Sequence, residues 1–286
     1  MKIFVGAILV LMSVFLGYAA SGGHLPVLWQ PFEFVIITGA ATGAFIIGNP
    51  TSVLKGLPAN LKRAISGSSY TKQDYLDLLI LLFTIIKVVK SKGMLFLEPH
   101  VDNPHESSIF TKFPKFLKNE HALNFLCDYL RLLSMGSENP QQMEAIMEEE
   151  LESFNQESHL TISAFYNMAD GMPALGIVAA VLGVIHTMGS ISQPPEILGK
   201  LIGGALVGTF LGVLLSYGFV GPIGNFIKTL HEGDRDYLNC LKTGINSYLN
   251  GFPPLIAVEY ARKTIEPHNR PSFMELENAV SDIRDT

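Results

Sequence analysis

Four stretches of this chain contain no Asp, Glu, Lys or Arg: Ile3–Ala20, Phe34–Asn49, Gly171–Gly189 and Leu201–Ile223. A hydrocarbon layer holds no water to satisfy a backbone amide, so such a segment must close its hydrogen bonds within itself, as a helix does. About 20 mostly apolar residues are needed to cross, with a lower limit near 17. Three of the spans reach that length, and the second does so when Pro31–Glu33 enters the interface. The chain is 48% apolar and only 16% charged, too apolar for a soluble domain of its length. The expected fold is an all-α membrane protein with four transmembrane helices. A large helical cytoplasmic region falls between the second and third, and a helical cytoplasmic tail follows the fourth.

Orientation follows from the lysines and arginines beside the spans. The connection Ser21–Glu33 has none, and Ser190–Lys200 has only Lys200 at its edge. The other side carries Lys2, Lys55, Lys62, Arg63, Lys228 and Arg235. Both termini and residues 50–169 are therefore expected in the cytoplasm of a multi-pass membrane protein. The first span also has the parts of a cleaved signal peptide, Lys2, an apolar run and Tyr18-Ala19-Ala20. A retained helix is the expectation, with three more spans following. The resulting division is 1–50 for the first two helices and a short periplasmic connection, 51–168 for the cytoplasmic domain, 169–224 for the last two spans and 225–286 for the tail.

The middle region reads as helical. Thr71 and Asp74 have capping-box spacing ahead of Tyr75–Val89. The near-pure apolar run Leu78–Ile86 is half a membrane span, so a buried core helix is expected there. Lysines at 87, 90 and 92 sit at its C-terminal end and Gly93 ends it. Pro99, Pro104 and Pro114 mark a loop-rich connection. Helices follow at His121–Leu133 and Gln141–Gln156. The second has Met143, Ile146, Met147, Leu151 and Phe154 on one face. Its other face is acidic, with Glu144, Glu148, Glu149, Glu152 and Glu157, and reads as solvated surface. Pro253 and Pro254 interrupt the tail, and Ser272 with Glu275 caps a last helix.

No catalytic constellation, metal cluster or cofactor motif is legible: no Walker glycine loop, no GxSxG, no HExxH. The two cysteines, Cys127 and Cys240, read as buried free thiols. A net charge of −6 argues against nucleic acid as a partner. His186 is the one histidine inside a span, read equally as functional or as an interhelical hydrogen-bonding group. Gly204, Gly208 and Gly212, and likewise Gly176, Ala180 and Gly183, form small-residue stripes that admit close helix approach. They are read as facing a partner helix or a narrow pathway, with packing inside the chain as the alternative. Thr209 is the hydroxyl at the centre of the fourth span. Pro173 and Pro222 each free a backbone carbonyl near the cytoplasmic side, making a weak point in each helix. No span has a carboxylate at its centre. Asp170 lies at the cytoplasmic boundary and Glu33 at the outer one, so an acid that carries ions mid-membrane must come from another chain.

Several motifs, in order along essentially the whole chain, resemble the MotA family of flagellar stator proteins. They are Pro173-Ala174-Leu175-Gly176-Ile177-Val178-Ala179-Ala180, Leu206-Val207-Gly208-Thr209-Phe210-Leu211-Gly212, Gly93-Met94 with Leu97-Glu98, and Arg270-Pro271-Ser272-Phe273. The resemblance implies a pentamer around a MotB dimer, which brings the ion-binding aspartate and the peptidoglycan anchor. It implies that ion flow drives a cytoplasmic push on the rotor protein FliG, with lipid around the spans. Pro173 and Pro222, with Asp170 beside them, match the family's conformational coupling. Ala180 and Thr209 match its ion path. Lys90, Glu98 and Glu150 match its rotor-facing charges, although relatives commonly have arginine at the Lys90 position; Lys87 or Lys92 can stand in. Alanine at 180 offers no oxygen ligand, which favours protons as the coupling ion. The alternatives are an ExbB/TolQ-type energiser, which typically has three spans, and a channel or transporter that conducts by itself.

Overall fold

The computed structural model describes residues 2–67, 70–137 and 139–284, and among them only helices and turns occur. In chain order the helices are α1 (Lys2–Ala20), α2 (Pro31–Gly48), α3 (Thr51–Ser66), α4 (Lys72–Lys92), α5 (Glu98–Asp102), α6 (Pro114–Leu117), α7 (Glu120–Ser134), α8 (Pro140–Met188), α9 (Pro195–Leu215), α10 (Gly221–Leu249), α11 (Pro254–Thr264) and α12 (Phe273–Arg284). Four helical stretches are long and apolar enough to cross a membrane: Lys2–Ala20, Leu25–Gly48, Pro140–Met188 and Pro195–Leu249.

The chain forms two compact units, Met1–Ser68 with Glu157–Leu230, and Ser69–Gln156 with His231–Thr286. The first holds the four apolar spans. No residue of α1 is buried, and Phe4, Ile8, Leu9 and Met12 are open on its surface. A half-buried stripe, Ile3, Ala7, Val10, Val14 and Tyr18, runs along it, and the open apolar remainder suits lipid or a neighbouring chain.

In the second unit α4 is the hub. Leu78, Leu79, Leu81 and Leu82 are each at most 1% exposed, enclosed by side chains of α7, α10, α11 and α12 and the start of α8. An apolar run buried on every side explains why it looks like half a membrane span without being one. Both expected caps form. Thr71 N–H donates to Asp74 Oδ2 at 2.9 Å while Asp74 N–H donates to Thr71 Oγ at 3.3 Å. Ser272 and Glu275 repeat the exchange at the start of α12. Gly93 ends α4 with φ 82°, a left-handed value that glycine adopts without strain.

Three local readings change. The connection around Pro99, Pro104 and Pro114 is built of short helical turns, with a proline near the start of each, where its missing N–H costs nothing. The helix expected to end at Gln156 instead runs unbroken from Pro140 to Met188, 49 residues; no proline or glycine interrupts 157–170 to stop it. Ile146 is 51% exposed while Met143 and Met147 are fully buried, so the core stripe of early α8 is narrower than expected. Cys127 and Cys240 are buried free thiols, and burial pushes the Cys127 thiol up to about 11, which leaves it unreactive near neutrality.

Candidate functional site

The two glycine stripes meet each other. A Cβ built on Gly176 would fall 2.8 Å from the Gly208 carbonyl oxygen and 3.0 Å from Gly212 Cα. One built on Gly212 would fall 2.7 Å from the Met172 carbonyl oxygen, and one on Gly183 2.7 Å from Ala205 Cβ. Backbone therefore touches backbone between α8 and α9, which only residues without side chains permit. The expectation of stripes open to a partner helix gives way to packing within the chain. Ala180 belongs to this crossing, its backbone nitrogen 3.0 Å from a Cβ built on Gly208. Thr209, the next residue on α9, is half-buried, and His186 is exposed.

Both prolines lie close to a residue that the sequence does not single out. Pro173 lies inside α8 and has no N–H for the carbonyl four residues back, that of Ala169. Ser216, fully buried, donates its hydroxyl to that carbonyl at 2.6 Å. Ser216 also opens the π-turn Ser216–Val220, where the Gly221 N–H reaches five residues back to the Ser216 carbonyl. Pro222 follows at once. One serine thus fills the vacancy made by Pro173 and begins the wide turn that precedes Pro222. A serine in an apolar span gives no sequence hint of its partner, because the acceptor lies 47 residues away. Asp170 is exposed beside Ala169.

A second unforeseen feature is Glu33. It stands in the first turn of α2, at the edge of an apolar span by sequence. Its carboxylate nonetheless packs against Gly183 of α8 and Gly208 of α9.

The three charges matched to the rotor face lie in the second unit. Lys90 is exposed at the end of α4 and donates to the Phe252 carbonyl at 2.9 Å. Glu98 is exposed at the start of α5. It lines a groove of about 170 Å³ with Leu97, Asp102, Leu130 and Arg131. Glu150, on α8, accepts a hydrogen bond from the Tyr129 hydroxyl at 2.6 Å. Burial first, and then that bond, raise the Tyr129 phenol far above its usual range, so it stays a donor. Of the neighbouring lysines, Lys87 is bound at the Ile283 carbonyl and Lys92 sits 4.3 Å over the Phe96 ring. Arg131 was not singled out from sequence. Its guanidinium binds Asp128 at 2.8 Å and the Val101 carbonyl at 2.9 Å, placing a cation in the Glu98 groove.

Residues 4–93 match the family model described as Motility protein A N-terminal, and residues 117–238 match the MotA/TolQ/ExbB proton channel family. Motility protein A of Salmonella typhimurium is 43% identical over 284 residues, covering 99% of this chain and 96% of that protein. Among solved structures, that of C. jejuni MotAB aligns with a TM-score of 0.78 at 19% identity, covering 95% of this chain and 98% of that one. The flagellar MotAB stator complex from Bacillus subtilis aligns at 0.74 and 21% identity, covering 94% and 98%. At such identities these structures speak for the fold.

Proposed function

Because this chain belongs to the motility protein A family, we propose that it is a stator subunit of the bacterial flagellar motor, acting in the inner membrane with MotB. That family is one of proton channels, not of enzymes. The observation that carries the reading is a shortage. The spans 171–189 and 201–223, tightly packed and close to full membrane length, contain no Asp or Glu. A channel subunit without a mid-membrane acid needs one from a companion, and a MotB dimer with one aspartate-bearing helix per chain fits that need. Self-association into a pentamer around the dimer follows from the same resemblance. The open apolar surface of α1, suited to lipid or a neighbouring copy, is compatible with it.

In this reading 1–50 and 169–224 form the membrane part, and 51–168 with 225–286 the cytoplasmic part, with both termini inside. Proton flow past Ala180 and Thr209 changes the α8/α9 crossing. The Ser216–Ala169 bond and the two prolines, with Asp170 at the boundary, set how that crossing yields. α8 and α10 each run from the membrane part into the cytoplasmic part as one helix, so a shift at the prolines has a continuous backbone to travel along. Lys90 and Glu98 present the charges that meet FliG. Glu150, held by Tyr129, is the secondary acid. The match of residues 4–93 to the motility model favours this reading over an ExbB/TolQ-type energiser. Deleting the gene tests the choice: cells should keep their filaments and stop swimming. Normal motility with impaired uptake of iron complexes would favour the energiser.

A further inference from the structure

Glu33 is more than a charge at the edge of a span. Gly208, which it touches, is the eighth residue of the charge-free stretch 201–223, so the carboxylate reaches into apolar territory. A Cβ on Gly208 would stand 3.0 Å from Glu33 Oε2, and one on Gly183 would stand 3.2 Å from Oε1. Two glycines on two different helices thus make room for the two oxygens of one carboxyl group. Gln30, one turn earlier, occupies Gly204 in the same way, 2.8 Å from its built Cβ, with its amide donating to the Val27 carbonyl. Among the described residues, Glu33 Oε2 is the buried side-chain oxygen with no hydrogen-bond partner.

Leaving a buried acceptor unpaired costs the full desolvation penalty of the group, and more if it is charged. An ionisable group kept at such a cost inside a span is a candidate for function. Opposing influences act on it. Burial disfavours the anion, whereas the N-terminal turn of α2 favours it. The titratable groups at the corresponding ends of the elements it packs against are His186 on α8 and Glu196 and Lys200 on α9, with His24 ahead of α2, all exposed. One carboxyl group among glycines, alanine and a glutamine supplies too few oxygens to replace the shell of a hard metal cation. A proton needs only the carboxyl oxygen itself.

We infer that the Glu33 carboxyl group is a proton-binding station on the ion path, loading from the outer side and passing protons towards the companion's acid. The step adds one proton to a carboxylate oxygen and later gives it up, with no electron transfer. It rests on the reading of the complex as a proton-driven stator, and it gives this chain a titrating group of its own beside the borrowed one.

The test uses the full chain with its companion in cells and after purification. Glu33→Gln keeps shape and polarity but cannot titrate. Motor-bound complexes counted by a fluorescent label should stay at wild-type number. Torque per complex should fall to a minor fraction and lose its response to external pH, while Glu33→Asp keeps that response. On purified complex, difference infrared spectra across pH should show a carboxyl band that Glu33→Gln removes. Unchanged torque and pH response in Glu33→Gln overturns the inference, as does an infrared difference unaffected by the substitution. A torque deficit that follows external sodium at fixed pH overturns the proton assignment. If instead the gene deletion leaves swimming intact, the stator reading itself has failed, whatever Glu33 does.

Discussion

At the scale of single residues, the glycines separate into those that carry the crossing and those that do not. A Cβ at Gly212 would meet backbone atoms at 2.7 and 2.8 Å, from the Met172 carbonyl and Gly176 Cα. Neither can swing aside as a side-chain end can, so Gly212→Ala must push α8 and α9 apart, at about 1–3 kcal/mol. Gly203, on the same helix, would meet only Val27 Cγ1 at 3.7 Å, ordinary contact. Gly203→Ala should change stability by less than about 0.5 kcal/mol. Thermal unfolding of the two purified variants, followed by the fluorescence of Trp29, should show a clear drop for the first and none for the second. Sequence spacing announces that these stripes permit close approach. It does not say what approaches, because the contact joins residues about thirty apart and depends on which faces meet. Glu33 was read as a boundary residue for a similar reason: its position along α2 is legible, whereas the reach of its side chain onto α8 and α9 is a tertiary fact.

At the scale of elements, the Ala169 carbonyl that Pro173 leaves without its donor within α8 is satisfied from the π-turn that follows α9. Hydrogen bonds between membrane helices average about 0.6 kcal/mol and reach about 1.7 kcal/mol. Ser216→Ala should therefore cost no more than that in unfolding of the solubilised protein and leave complexes assembling. Swimming speed should still fall, because the freed Ala169 carbonyl no longer ties α8 to the π-turn before Pro222. Unaltered speed in assembled Ser216→Ala complexes would remove this bond from the coupling.

The clasp between α4 and α12 responds to acid. The Lys72 ammonium, 2.7 Å away, and then the N–H and hydroxyl of Ser272 hold Glu275 down at about 2 against an ordinary 4.5. A depressed carboxyl stabilises the fold fully above its unfolded value and loses that contribution as pH falls towards the folded one. Protection of α12 amides from exchange, relative to the intrinsic rate at each pH, should fall between about pH 4.5 and 2, ahead of α7. The effect should shrink in salt, since the pair is half-exposed. The caps of α4 and α12 were legible because each is written within four residues. The continuity of α8 was not: Glu157–Asp170 mixes polar and apolar residues without a stop signal, and a helix that changes from a packed stripe to an apolar surface along its length has no single period to detect.

At the scale of the whole molecule, four apolar spans and a buried helical hub were readable from charge distribution and run length alone. What the chain does was readable only through the absence of an acid from the centres of its spans and through the resemblance of its motifs. The account divides labour between two polypeptides: this one frames the path and moves, and the companion supplies the acid without which protons do not cross. Proton flux into liposomes measures that division most directly, with this chain reconstituted alone and together with its single-span partner. The account predicts flux only from the pair, with no more than background leak from this chain alone. Flux from this chain alone at the rate of the pair would contradict it.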